Sequence, residues 1–225
     1  VATISTSIHW AWVKKEFLRT EKIPSRERSS VVTVAENALR LARRLARPKI
    51  VAKTARIIAS DTRTITVEKG ITLTSATLAR NLAQAQKLHI FAVTIGGALE
   101  RAASRLMAHD EQLMGYLLDR VGSLAAESLA ENTELRMRTR CARERESCSM
   151  RYSPGYCDWP LEDQRMLAKV LDLSKAGISL TDTCMMDPRK SISAVIGIGA
   201  GHTFQKHASP CITCAQPTCA YRRPF

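Results

Sequence analysis

A chain of 225 residues, 45% hydrophobic and 24% charged, is long and apolar enough to bury one full core, which excludes a disordered or collagen-like polymer. No apolar run approaches the ~18 residues of a membrane-spanning helix, and Val1-Ala-Thr-Ile-Ser5 shows neither the basic region nor the apolar core of a secretory leader. Lys and Arg outnumber Asp and Glu by 34 to 21, giving +13 and favouring anionic partners, while seven cysteines without a leader fit a reducing, cytoplasmic setting better than a disulfide framework.

Trp10, Trp12 and Phe17 mark a short helix, followed by a polar connection around Pro24. From Ser30 to Arg47, Val34, Ala38, Leu41 and Leu45 recur at intervals of four, three and four, the seam of an amphipathic helix. Arg40, Arg43, Arg44 and Arg47 line the other face, and no acid occurs between Asn37 and Ser60. That stripe suits an acidic partner protein or a phosphate-bearing cofactor, with a merely solvated face as the plain alternative. Nucleic acid is the weaker expectation, because no aromatic interleaves with the arginines to stack on bases.

Pro48 ends this helix. The β-branched stretch Ile50 to Val67 predicts two strands around Ser60-Asp61, and Thr74 or Ser75 caps a helix running to about Gln86. Leu88 to Thr94 is an apolar strand stopped by Gly96-Gly97. A helical region then runs from about Leu99 to Arg140, with breaks near Asp110 and Gly115. Within it, Ala126-Glu127 and Ala130-Glu131 set two carboxylates on one face, which also reads as a solvated face balanced by nearby arginines. Arg136 to Met150 reads as helix end plus connection.

Arg151-Tyr-Ser-Pro-Gly-Tyr156 follows. Pro154-Gly155 is a turn, bringing Arg151 and Tyr156 together at a loop. A guanidinium there suits a carboxylate held bidentately, though a surface turn with a solvated arginine has the same sequence. Pro160 opens a helix with Glu162 and Asp163 in its first turn and Leu167, Val170 and Leu171 on its buried face. Alternation over Ile178–Met186 and Ile192–Ile198 predicts a hairpin joined by Asp187–Lys190. Antiparallel pairing with long helices makes the fold α+β, an antiparallel sheet flanked by helices in one domain over residues 1–203. Residues 204–225 form a cysteine-containing tail. Its Cys211, Cys214 and Cys219 suit zinc or an iron–sulfur cluster, with Cys184, Cys157 or His207 as a fourth ligand, or remain thiols.

Taken in order, Arg151-x-x-x-Gly155-Tyr156, the loop Cys157–Pro160, a helix, Leu180-Thr-Asp-Thr183 and Pro188-Arg-Lys-Ser-Ile-Ser-Ala194 resemble the reactivation domain of cobalamin-dependent methionine synthase. Phe91-Ala-Val-Thr-x-Gly-Gly-x-Leu-Glu100 resembles the strand and glycine turn before that domain's long helix. The likeness spans about Phe91 to Gly199. It implies a twisted antiparallel sheet that binds S-adenosylmethionine and presents its methyl group to a cobalamin held by a neighbouring module. Inactive cob(II), reduced by one electron, is there trapped as methylcobalamin.

The resemblance further implies the contacts. Arg151 takes the ligand's carboxylate, with Gly155 and Tyr156 beside it; Glu127 faces the ammonium and sulfonium; Asp158 meets the ligand through its backbone. Cobalt is the nucleophile, so this methyltransferase-type chemistry assigns no catalytic residue to the chain. No Asp-x-His-x-x-Gly run is present, so the corrinoid comes in trans, from a corrinoid-binding protein or other methionine synthase modules, alongside an electron donor. The family's tyrosine pair is replaced by Ile198-Gly-Ala-Gly201, with only Phe204 nearby. The expected function is therefore reactivation of a partner's corrinoid, as in or as a subunit of methionine synthase. The alternative is a non-catalytic, metal-stapled basic module that docks on a corrinoid protein or nucleic acid.

Overall fold

A strand that is apolar on both faces belongs in the middle of a sheet, and Leu88 to Thr94 is such a strand. The computed structural model describes residues 7–23, 30–201 and 204. Its elements are α1 (Trp10–Thr20), α2 (Ser30–Leu45), β1 (Lys49–Ser60), β2 (Thr64–Val67), β3 (Ile71–Thr74), α3 (Ala76–Asn81) and β4 (Lys87–Thr94). There follow α4 (Ala98–Ala108), α5 (Gln112–Arg143), β5 (Glu146–Tyr152), α6 (Gln164–Val170), β6 (Ser179–Leu180), β7 (Met186–Asp187) and β8 (Ser191–Ala200). Six strands form one antiparallel sheet in the order β3-β2-β1-β4-β8-β5, with β4 and β8 inside it and β6–β7 as a separate pair. The fold is α+β, as expected.

The period of two along β4 and β8 sorts their side chains into two cores. Phe91, Val93, Ala194, Ile196 and Ile198 face the layer built from α1, α2, α4 and α5. Leu88, Ile90, Ala92 and Val195 face the opposite side, covered by α3, α6 and Trp159. Large side chains such as Phe91, Leu88 and Ile90 are fully buried, each worth roughly 1.5–3 kcal/mol.

Several local expectations change. α2 buries Ala35, Ala38, Leu39 and Ala42, whereas Val34, Leu41 and Leu45 are only partly covered. The alanines let this helix approach closely, which rotates the seam away from the larger residues. Helix α3, capped by Ser75, stops at Asn81 rather than Gln86, because Gln86 N–H instead donates to Ile198 C=O at 2.8 Å. The break near Asp110 is present, but α5 runs unbroken through Gly115. Residues 146–152, expected as connection, form edge strand β5; a register shift between Cys148 and Arg151 hides its alternation. The predicted hairpin does not form. β8 has β4 on one side and β5 on the other, so 179–180 pairs with 186–187 instead.

Gly115 serves close approach. A Cβ there would lie 2.6 Å from Met107 Cγ, 2.8 Å from Ala103 C=O and 2.9 Å from Met107 N, where α4 crosses α5. Gly115→Ala should therefore destabilise by about 1–3 kcal/mol through overpacking, despite alanine's better helix propensity. A urea midpoint raised by this change would show that the crossing is loose.

His89 sits buried on β4, with Nδ1 3.1 Å from Thr54 Oγ1 and its ring 6.0 Å from that of Phe91. Burial, aided by the Arg140 charge, pulls its pKa down to about 4. The unfolded chain takes up this proton near pH ~6.5 and the folded chain does not. Stability should thus fall as pH drops from about 6.5 towards 4. Urea melts across that window should show a shallower slope for His89→Gln than for the parent protein.

Candidate functional site

Helix α5 carries Glu127, Glu131 and Glu134 at i, i+4 and i+7, one face of a 3.6-residue period. Across from it runs edge strand β5, whose alternation turns Arg151 towards α5 and Tyr152 towards the second core. The Arg151 side chain is only 11% exposed. Its Nη2 donates to Glu127 Oε1, and its Nε lies 3.4 Å from Glu134 Oε2. Glu134 also accepts from Arg138 Nη2 at 2.8 Å.

Burial lowers the Arg151 pKa, while Glu134 and Glu131 act to raise it; a guanidinium nonetheless stays charged. Glu131 is pushed up, first by burial and then by Glu134 and Glu16, against the pull of Arg151. Three carboxylates thus surround two guanidiniums at the junction of α5 and β5. On the far side of Glu131 is a groove of about 230 Å³ between α1 and α5, lined by His9, Trp12, Ser128, Glu131, Asn132 and Leu135.

The turn after Arg151 forms as expected. Gly155 adopts φ +87°, a conformation that favours glycine. Its N–H donates to Trp159 C=O at 2.9 Å, and Trp159 N–H donates to Tyr156 C=O at 3.1 Å. Tyr156 is 57% exposed and close enough for its phenol to act electrostatically on Arg151. Trp159 is buried and donates from Nε1 to Asp163 Oδ2 at 2.8 Å, an oxygen that also accepts from Thr74 N–H at 2.9 Å. Asp163 therefore ties the loop to β3, beyond its place in a helix's first turn.

Asp158 completes the tie. Its carboxylate accepts from Ser75 Oγ at 2.9 Å, Ala76 N–H at 2.7 Å and Thr77 N–H at 3.2 Å. Burial acts to raise its pKa, but hydrogen bonds from Thr77 and Ser75 outweigh this and hold it at about 2. The side chain is committed to the start of α3, so only the backbone of Asp158 is available in the role the resemblance gave it.

A family model described as "Vitamin B12 dependent methionine synthase, activation domain" matches residues 73–205. The chain belongs to this family. A solved structure titled "Crystal Structure of the MetH Reactivation Domain bound to AdoHcy" shares its fold, with a TM-score of 0.63 at 17% identity over 90% of this chain and 76% of that one. No curated protein matches the chain.

Within this activation domain the structure brings Glu127, Arg151, Gly155 and Tyr156 to one end of the α5–β5 junction, and Asp158 to the adjoining loop. Glu134 escaped the sequence reading, although extending the Glu127–Glu131 spacing by three residues reaches it. Tyr152 was hidden with the rest of β5; burial raises its pKa to about 12, against a hydrogen bond with Asn81. The tail cysteines Cys211, Cys214 and Cys219, and His207, lie outside the described residues. Of their expected companions, Cys184 is buried and Cys157 exposed, neither in a disulfide. No group of three or more His, Cys, Asp or Glu with metal-binding geometry occurs among the described residues. No described helix is long and apolar enough to cross a membrane.

Asp158→Ala should cost about 1–2 kcal/mol, the range for losing a helix N-cap. Because the carboxylate's pKa is depressed, its contribution is present above about pH 4 and fades as pH falls towards 2. The gap between parent and variant in chemical denaturation should narrow over that interval. A constant gap would assign the loss to packing instead.

Proposed function

We propose that the chain binds S-adenosylmethionine at the α5–β5 junction and supports reductive methylation of a corrinoid carried by a partner. One observation carries this reading: a buried guanidinium, Arg151, set among three carboxylates beside the Tyr156 turn, within the segment matched by the activation-domain family. The ligand combines a carboxylate with an ammonium and a sulfonium. A site where carboxylates outnumber guanidiniums complements its net positive charge. The AdoHcy named for the structurally similar MetH domain is the product of the same methyl transfer.

In this assignment Arg151 turns Nη1 to the ligand's carboxylate while Nη2 and Nε keep their hold on α5. Glu127 faces the ammonium and sulfonium. Gly155 and the backbone of Asp158 shape the wall, and Tyr156 closes over it. The ligand supplies an electrophilic methyl group. The partner's cobalt, brought to the cob(I) level by an external one-electron donor, takes that methyl as the S–CH₃ bond breaks and its electron pair stays on sulfur. The chain's own residues hold and orient the sulfonium, and no proton moves, so no general base is required. We assign residues 1–203 to the activation domain and 204–225 to a separate tail. Elemental analysis of protein purified without oxygen distinguishes zinc or iron at Cys211, Cys214 and Cys219 from thiols.

Calorimetric titration tests the site. S-adenosylmethionine should bind more tightly than S-adenosylhomocysteine by roughly 1–2 kcal/mol, since only the former carries the sulfonium charge. Glu127→Gln should shrink that difference. Arg151→Ala should weaken both ligands by about 1.5–3 kcal/mol, the range for a hydrogen bond to a charged group. Arg151→Lys should restore only part, for want of the planar fork. Equal affinity for the two ligands in the parent protein would remove the charge argument. The reaction is tested by the cob(II) band of a corrinoid partner giving way to the methyl form. This should depend on the chain, the ligand and a low-potential reductant together.

A further inference from the structure

The arginine stripe of α2 is a second charged surface, which the reactivation chemistry does not use. Arg40, Arg43, Arg44 and Arg47 are all exposed. Among the described residues, none of the four takes part in a salt bridge. Neutral groups restrain three of them instead. Arg40 Nη2 donates to Asn37 Oδ1. The Arg43 guanidinium lies over the Trp10 ring, 5.7 Å from its centroid. Arg47 Nη1 donates to the carbonyls of Arg44 at 2.8 Å and Ala46 at 2.9 Å. These arginines keep their charge and have less side-chain freedom to lose when a partner arrives. A merely solvated face needs no such restraint.

The surface also has a shape. A depression of about 260 Å³ lies between α1 and α2, lined by Lys14, Glu36, Leu39, Arg40 and Arg43. Leu39 is buried and gives it an apolar floor, with cations at the rim. We propose that this face docks an acidic protein segment, one carboxylate of which enters the depression between Arg40 and Arg43.

Three features favour an acidic segment over nucleic acid. Arg43 covers a face of Trp10 that a base would need for stacking. Glu36 stands exposed at the rim, 3.7 Å from Lys14; it would repel a continuous phosphate track running past it, whereas a short acidic segment can stop before it. The stripe itself is about 10 Å long, at 1.5 Å rise per residue. The surface precedes residue 73, where the activation-domain match begins, so it belongs to a part of the chain that the family match does not describe.

A fluorescein-labelled hexaglutamate peptide, followed by fluorescence anisotropy with the full chain at low salt, tests the docking. Changing all four stripe residues to glutamine (Arg40→Gln, Arg43→Gln, Arg44→Gln and Arg47→Gln) should weaken binding by about tenfold or more. The same change at Arg63, Arg80, Arg105 and Arg143, which are also exposed, keeps the net charge matched and should have a much smaller effect. A fourfold arginine-to-lysine variant of the stripe should bind with intermediate affinity, because charge is kept and the fork is lost. Thermal midpoints should match among the variants, since all the positions are exposed. Equal weakening by the stripe and control variants, or no binding of the peptide by the parent chain, would overturn the proposal. So would duplex DNA losing more affinity than the peptide in the stripe variant, which would assign the arginines to phosphate.

Discussion

A guanidinium drawn out of water at the edge of a sheet is stable only beside carboxylates that are equally withdrawn. Arg151 meets this condition through Glu127 and Glu134, and the arrangement at the α5–β5 junction depends on it. The contact fixes which way β5 faces, because a one-residue slip would turn Arg151 into the second core and Tyr152 towards α5. It also holds the edge strand to the long helix at a point where the sheet offers only one neighbouring strand, β8. Removing either partner would leave a buried charge unmatched, so structure and ligand recognition share the same atoms here.

That coupling extends through the loop that follows. The chain leaves β5 at Tyr152 on one edge of the sheet and is pinned by Asp158, Trp159 and Asp163 to α3 and β3 at the other end of the strand order. The turn bearing Gly155 and Tyr156 is thereby suspended between two anchors. One is the ion pair of Arg151, and the other is the hydrogen-bonded start of α3. A loop held at both ends can present a backbone and a phenol in a defined place while remaining at the surface. The exposure of Tyr156 is compatible with this role, since a residue that closes over a ligand must be reachable beforehand.

The sequence was legible where one element satisfied its own needs. Leu88–Thr94 could be read as a strand because burial on both faces demands unbroken apolarity. The turn at Pro154-Gly155 could be read because its geometry is local. The order of short motifs from Phe91 to Gly199 indicated the family. Legibility failed where the deciding partner is remote. β5 is charged and irregular, and its pairing with β8 is visible only when both are placed. The hairpin expected over Ile178–Ile198 failed because β4 and β5 occupy both sides of β8. The α2 seam moved because close packing favours alanine at the contact, a preference that hydrophobic spacing alone does not encode. Glu134 followed the same helical period as its neighbours, but its meaning comes from Arg151, seventeen positions further on in a different element.

Charge in this protein is segregated rather than averaged. The chain as a whole carries +13, yet the α5–β5 junction gathers three carboxylates around its guanidiniums. A uniformly basic surface would repel a ligand bearing both an ammonium and a sulfonium; a local acidic cluster, partly shielded from solvent, reverses that sign over the few ångströms that matter. The excess positive charge lies elsewhere, including on α2, where it can act on an anionic partner at longer range. The opposite signs are therefore suited to different distances. The basic exterior can orient a large acidic body, and the acidic junction can select a small cation. Because solvent screens the exposed arginines far more than the buried Arg151 cluster, added salt should separate the two functions, weakening the first while sparing the second.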